Sequence, residues 1–135
     1  MREIYGILKN RAKEKEKKFL EATKRLKDRD ITLILFGSQA KGRASFLSDY
    51  DVVLIGEAEI DLDFIDLFKF RNVDEVKMEI DKLNTIVLDA FIEGKPIIDN
   101  LGVYDRLKKY ALNKVKDRRI KKTRLGWVPD IQQFH

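Results

Sequence analysis

The sequence contains no cysteine, one histidine, one tryptophan and two prolines among its 135 residues. Without cysteine the chain forms neither a disulfide bond nor a thiolate metal site, and we expect it to work in a reducing cytoplasm. No run approaches the roughly 20 apolar residues that cross a bilayer, and the first residues, Met-Arg-Glu-Ile, contain no apolar signal core. We therefore predict a soluble cytoplasmic protein that has no membrane partner.

Charge is distributed unevenly along the chain. Residues 1–30 carry 11 Lys/Arg and 6 Asp/Glu, and residues 104–124 carry 10 and 2, whereas residues 49–99 carry 14 Asp/Glu and 5 Lys/Arg. An acidic centre favours divalent cations, and basic ends favour phosphates, RNA or an acidic partner. The same pattern is typical of solvated helix faces, so both interpretations of the basic ends stay open.

Hydrophobic periodicity predicts an α/β domain with a small mixed sheet flanked by helices. Residues 31–36 form an apolar run typical of a strand buried on both faces, and Pro96 favours an edge strand at 95–98. Further strands are predicted at 49–55 and 73–80, and helices at 2–29, 38–40, 64–68, 82–93 and 103–119. The length fits one domain, residues 1–135, with a motif-bearing core at 31–99 and a C-terminal helix and basic tail at 103–135.

Two aspartates begin the second predicted strand. Asp49 and Asp51 are two residues apart, so on a strand their side chains project to the same side. Paired carboxylates at the head of an apolar strand are costly unless a cation neutralises them. Oxygen ligands without cysteine or a central histidine favour Mg²⁺ or Mn²⁺ over Zn²⁺.

A glycine and a serine follow the first predicted strand. Gly37 lets the backbone approach a ligand closely, and Ser38 at the start of a helix offers N–H groups and a hydroxyl to a phosphate. The simpler interpretation of Ser38 is a helix cap, which is compatible with phosphate binding. Together with the paired aspartates, these residues predict a site for a metal-bound nucleoside triphosphate.

The spacing of these two motifs resembles a known family. An apolar residue followed by Gly-Ser, ten further residues, and Asp-apolar-Asp is similar to the signature of the DNA polymerase beta-like nucleotidyltransferases. The fuller string, Gly-Ser-Gln-Ala-Lys-Gly at 37–42 and Ser-Asp-Tyr-Asp at 48–51, resembles the minimal nucleotidyltransferases of bacteria and archaea. Gln39 and Lys41 stand where such proteins often have arginine, which would weaken triphosphate binding or alter nucleotide choice.

The resemblance implies the polymerase beta-like nucleotidyltransferase fold with extra N- and C-terminal helices, a metal cofactor and a set of site residues. Two Mg²⁺ ions, or Mn²⁺, would be held by Asp49, Asp51 and a third carboxylate on a later strand, for which Asp74 is the match by position. Asp74 would also be the base for the acceptor hydroxyl. Gly37 and Ser38 would bind the β- and γ-phosphates. Lys41 is assigned to the nucleotide as well, with an ordinary loop charge as the alternative.

Asp61 and Asp63 are rivals for the third carboxylate, ranked behind Asp74 because they follow the second strand too closely to leave room for a crossover.

The implied function is transfer of a nucleoside monophosphate, with ATP as the expected triphosphate, to a hydroxyl of a protein or RNA. Proteins of this kind act as antitoxins on a separate helical toxin of the HEPN class, so such a toxin is an expected partner. The alternative is a non-catalytic module that neutralises or scaffolds its partner by contact. An exposed edge near Ile97 and the terminal helices would support a homodimer.

Overall fold

The computed structural model describes residues 2–42 and 49–131, which form an α/β fold. The helices of these residues are α1 (Arg2–Leu26), α2 (Gly37–Ala40), α3 (Val73–Asp81), α4 (Thr85–Glu93) and α5 (Tyr104–Asp117). The strands are β1 (Thr32–Phe36), β2 (Tyr50–Ile55), β3 (Ile65–Phe70), β4 (Lys95–Asp99), β5 (Ile120–Thr123) and β6 (Gly126–Pro129). The predicted class, a small mixed sheet flanked by helices, is confirmed.

The first four strands form one sheet in the order β3-β2-β1-β4. β1 runs antiparallel to both β2 and β4, whereas β2 and β3 are parallel. The pairs Phe36↔Asp51, Asp51↔Asp66 and Leu35↔Lys95 lie at one end of the sheet, which we call the site end. β4 is an edge strand, as Pro96 predicted.

Each face of the sheet carries its own hydrophobic cluster. Side chains of α3, α4 and α5 cover one face, and the fully buried Ile34, Val53 and Phe91 lie at the centre of that cluster. The other face packs against the C-terminal part of α1, where Phe19 and Leu26 are buried. Strands β1 and β2 are thus buried on both sides, which explains their continuous apolar sequence.

The N-terminal half of α1 extends away from this core. A helix of 25 residues is about 37 Å long, and its buried residues, Phe19, Thr23 and Leu26, all lie in its last third. Ile4, Tyr5 and Ile7 are more than half exposed.

The predicted helix at residues 64–68 is wrong, because residues 65–68 belong to β3. Residues 56–64, which connect β2 to β3, contain no regular element and return the chain to the site end. Nine extended residues span up to roughly 30 Å, which exceeds the roughly 20 Å length of a six-residue strand. Alternate residues of this crossover pack on the α1 face of the sheet: Ala58, Ile60, Leu62 and Phe64.

The predicted strand at residues 73–80 is also wrong, because these residues form α3. The side chain of Asn72 caps the helix by accepting a hydrogen bond from the backbone N–H of Glu75 at 3.0 Å. Val76 and Ile80 are buried at helical spacing, whereas Met78, which the strand pattern placed beside them, is 56% exposed. Helical periodicity and the cap therefore override the apparent alternation.

Other boundaries differ by a few residues. α1 ends at Leu26, three residues before the predicted end, and α5 spans 104–117 instead of 103–119. α4 begins at Thr85, because Asn84 caps it by accepting from the backbone N–H of Ile86. The tail, for which the sequence predicted no element, forms the antiparallel hairpin β5–β6. Within the described residues, no helix is both long and apolar enough to span a membrane.

Candidate active site

Gly37 connects β1 to α2 at the site end. Its φ of +74° is a left-handed conformation that favours glycine, and a Cβ at this position would lie 2.5 Å from Oδ2 of Asp51. α2 begins at Gly37 itself and no side chain caps it, since the N-cap residue is Phe36. Ser38 therefore lies inside the first turn, half-buried, and is not the cap. Gly37 therefore lies close against the carboxylate of Asp51, where a side chain would not fit.

Asp51 and Asp66 lie side by side on the parallel strands β2 and β3. They share the face of the sheet on which Val53 and Phe68 pack, and their carboxyl groups are in hydrogen-bonding contact. Burial raises the pKa of Asp51, and the negative charge of Asp66, its hydrogen bond and the charge of Asp49 add to this increase. Two carboxyl groups in contact at the start of a buried strand are typical of a cation site.

Asp49 lies immediately before β2 and is exposed. Its negative charge is the smallest of the causes that raise the pKa of Asp51, after burial and Asp66. Ser48, which begins the Ser-Asp-Tyr-Asp motif, belongs to the segment 42–48 that the sequence indicates is a loop, and residues 43–48 of it lie outside the described residues.

The structure does not bring Asp74 to this site. Asp66 pairs with Asp51 near the start of β3, whereas Asp74 follows Phe70 at the opposite end, in the first turn of α3. Four strand residues separate those ends by about 13 Å. Asp74 was assigned on the expectation of a strand at 73–80, which is a helix. The acid that lies beside Asp51 is Asp66, which the sequence did not single out.

Asp61 and Asp63 are exposed residues of the crossover. Both lie within the crossover itself, before β3 begins, so neither stands on a later strand.

Comparison with known proteins identifies the family. The profile of the nucleotidyltransferase domain matches residues 16–122, about four fifths of the chain. The chain belongs to the nucleotidyltransferase domain family. This confirms the resemblance inferred from the Gly-Ser and Asp-Tyr-Asp motifs.

One solved structure was found to be similar. It is described as the crystal structure of the toxin-antitoxin with AMP-PNP, and it shares 15% sequence identity with this chain at a TM-score of 0.47. The similarity covers 77% of this chain and 89% of that one. No match was found among curated proteins.

Lys41 of the nucleotidyltransferase motif follows α2 directly. Its Nζ forms an ion pair with Oε2 of Glu93, the last residue of α4. Both side chains are partly exposed, at 35% and 26%. The cation that the sequence assigned to the nucleotide thus has a carboxylate partner within the fold.

The carboxylates of this domain fit a magnesium ion by their chemistry. Asp49, Asp51 and Asp66 supply only oxygen donors, and Asp51 carries the electrostatic cost of its two neighbours, which a divalent cation would relieve. Among residues 2–42 and 49–131, no three acidic, histidine or cysteine side chains are already converged on one point. Binding an ion would therefore require these side chains to rotate toward it.

Proposed function

We propose that this chain is a metal-dependent nucleotidyltransferase that moves a nucleoside monophosphate from a triphosphate to an acceptor hydroxyl. The observation that carries the proposal is the contact between Asp51 and Asp66, directly beneath Gly37, in a chain of the nucleotidyltransferase family. The Gly37–Ser38 turn, which can bind phosphate, and the paired carboxylates then belong to one site, as this reaction requires.

Each residue has a role in this proposal. Gly37 and Ser38 bind the β- and γ-phosphates, and Asp49, Asp51 and Asp66 hold Mg²⁺, with Asp66 in the place first given to Asp74. The bound ion supplies charge neutralisation of the phosphate oxygens and lowers the pKa of the acceptor hydroxyl. Asp66 is exposed on the outermost strand of the sheet, so it is the carboxylate that the acceptor reaches.

The reaction has one bond formed and one bond broken. The acceptor oxygen attacks the α-phosphorus, and the bond from that phosphorus to the bridging oxygen of the β-phosphate breaks in line with the attack. Pyrophosphate leaves with the bonding electrons. The carboxylate of Asp66 accepts the proton of the acceptor hydroxyl and releases it to water.

We propose ATP as the triphosphate and a protein hydroxyl as the acceptor, on a separate toxin of the HEPN class. The support is the motif at 37–42 and 48–51, which resembles the minimal nucleotidyltransferases that act as antitoxins. RNA is the second acceptor class, which the basic segment from Lys114 to Arg124 favours by its charge.

Calorimetric titration with ATP, with and without Mg²⁺, tests the proposal. The double variant Asp49→Asn/Asp51→Asn should lose metal-dependent binding. Asp61→Asn/Asp63→Asn, which removes two exposed acids of the crossover, should bind like the wild type and is the matched control. ATP binding that does not depend on Mg²⁺, or that both double variants retain, would contradict the proposal. Either result would favour a module that neutralises its partner by contact alone.

The acceptor is identified separately. Purified chain, α-labelled ATP and Mg²⁺ are incubated with a co-purified protein partner or with RNA, and the label is followed into each. Label in protein alone supports a toxin hydroxyl, whereas label in RNA alone supports the second class.

A further inference from the structure

A cleft of about 710 Å³ lies beside the candidate active site. It is formed by three separate parts of the chain: the turn after α2, the end of α4 and the hairpin β5–β6. Its lining consists of Lys41, Glu93, Lys122, Thr123 and Arg124. Three of these side chains are cationic and one is acidic, so the cleft favours an anion.

The hairpin is fixed in place by Asp89 of α4. Oδ1 of Asp89 accepts hydrogen bonds from Nζ of Lys122 at 2.7 Å and from Nε1 of Trp127 at 3.0 Å. Trp127 and Ile120 also pack against the cluster under α4 and α5. The wall of the cleft is therefore part of the folded domain, and Lys122 and Arg124 are presented to it from a defined position.

The position of the cleft relative to Gly37 indicates what it binds. Asp51 and Asp66 lie on β2 and β3, whereas Glu93 leads into β4 on the other side of β1. Lys41 follows α2, so the Gly37–Ala40 turn stands between the carboxylates and the cleft. With strands about 4.8 Å apart, β3 and β4 are separated by roughly 14 Å.

In-line transfer decides which end of the triphosphate points to the cleft. The acceptor and the leaving pyrophosphate lie on opposite sides of the α-phosphorus. When Asp66 meets the acceptor and Gly37 and Ser38 bind the β- and γ-phosphates, the outer side of the terminal phosphate is directed toward β4. The cleft thus lies on the leaving-group side.

We propose that Lys41, Lys122 and Arg124 form a polyphosphate subsite that holds the terminal phosphate of the nucleotide and the pyrophosphate released from it. Glu93 competes with phosphate for Lys41, because its ion pair with Lys41 must open before phosphate binds there. The inference rests on the proposed function for its role in the reaction, but binding of inorganic pyrophosphate by the cleft is independent of nucleotide transfer.

Arg124→Gln is the most informative variant. Arg124 is exposed in the turn of the hairpin, and within the described residues no ion pair holds it. Its loss should therefore leave the fold intact, which the emission of the single tryptophan, Trp127, reports directly. Arg106→Gln removes the same charge from the exposed surface of α5 and is the control.

Calorimetry with inorganic pyrophosphate, ATP and AMP is the experiment. Arg124→Gln should weaken pyrophosphate and ATP about tenfold, since a charge-assisted hydrogen bond to phosphate is lost, and should leave AMP unchanged. Glu93→Gln should strengthen pyrophosphate binding several-fold, because Lys41 is freed. Arg106→Gln should behave as the wild type.

The outcomes separate this inference from the proposed function. If ATP binds with Mg²⁺ but Arg124→Gln and Arg106→Gln bind pyrophosphate alike, the subsite is disproved and the nucleotidyltransferase proposal stands. If ATP fails to bind but pyrophosphate binds and depends on Arg124, the cleft is supported while the proposed function fails. Selective loss of single-stranded RNA binding in Arg124→Gln, with pyrophosphate unaffected, would assign the cleft to RNA and overturn the proposal.

Discussion

Asp51 on β2 and Asp66 on β3 are register partners, and their carboxyl groups are in hydrogen-bonding contact. The contact exists because β2 and β3 form the parallel pair of this four-stranded sheet, which places the starts of both strands at the same end. Each strand contributes one acid to the same face. The arrangement gives the clearest test of the site, because a rival acid, Asp74, is available for comparison.

Asp66→Asn should reduce nucleotide transfer roughly 100-fold or more, because a metal-binding carboxylate supplies several kcal/mol of transition-state stabilisation. Asp74→Asn should remain within about twofold of the wild type, since Asp74 is exposed on α3 beyond the far end of β3. The measurement is initial-rate transfer of labelled nucleotide at saturating Mg²⁺. Comparable losses in both variants would show that α3 contributes to the site, contrary to the structure.

Gly37→Ala should abolish activity while lowering stability only modestly. Alanine at positive φ costs about 1–2 kcal/mol, and its Cβ would also meet Oδ2 of Asp51 at 2.5 Å. Gly102→Ala is the conformational control, with φ of +65° and no atom within 4 Å of an added Cβ. Urea unfolding and transfer assays on both variants should show similar stability losses but an activity loss in Gly37→Ala alone. An inactive Gly102→Ala would attribute the effect to backbone strain in general.

Asp89→Ala should release the hairpin β5–β6 from α4. The variant loses two hydrogen bonds to a charged acceptor, which we expect to destabilise the protein by about 1–3 kcal/mol. Trp127 then becomes more exposed, so its emission should shift to longer wavelength and the hairpin should become sensitive to trypsin. Asp105→Ala, an exposed acid of α5, controls for the loss of charge. Unchanged emission in Asp89→Ala would mean that packing of Trp127 alone holds the hairpin.

Asp81 makes a pH-dependent contribution to stability. The hydrogen bond from Oη of Tyr110, at 2.5 Å, and the contact with Lys114 lower the pKa of Asp81 below its ordinary value of 3.8. A depressed pKa in the folded state stabilises the protein above 3.8 and loses this effect as the pH falls through the folded value. Asp81→Asn should thus be less stable than the wild type at neutral pH, and the two should converge in strong acid.

Urea midpoints at pH 7 and at a series of pH values descending below 3.8 measure this convergence. Asp28→Asn, at an exposed position after α1, should match the wild type throughout the series. A difference for Asp81→Asn that persists in acid would point to a contribution other than its charge.

The elements that the sequence predicted correctly are those with one strong local signal. β1 and β2 are continuous apolar runs, Gly94 ends α4, and Pro96 marks the edge strand. Between residues 64 and 80 the sequence predicted a helix and then a strand, whereas the structure has a strand and then a helix. This error has a physical reason. Both faces of β3 pack against apolar clusters, so Leu67 and Phe68 are both apolar and mimic helical spacing. The cap at Asn72 and Glu75 was the available signal for α3.

The site was predictable only where it is local in sequence. Gly37, Asp49 and Asp51 follow from a motif, whereas Asp66 depends on which strand lies beside β2, a tertiary property. The ion-pair partner of Lys41 is equally distant in the sequence. Lys41 meets Glu93, 52 positions later in the chain.

The length of the crossover at residues 56–64 sets the register of β3 against β2. A shift of β3 by an odd number of residues would turn Asp66 to the other face of the sheet, so the proposed chemistry depends on this length. Side chains of β3 alternate between its two faces, so Asp66 shares a face with Asp51 only in the present register. An extra residue in the exposed part of the crossover can bulge outward and preserve that register. A residue deleted between Phe64 and Asp66 would instead turn the carboxylate toward α1 and bring Leu67 into its place. Laboratory evolution of this protein should therefore accept length changes before Phe64 and reject them immediately after it.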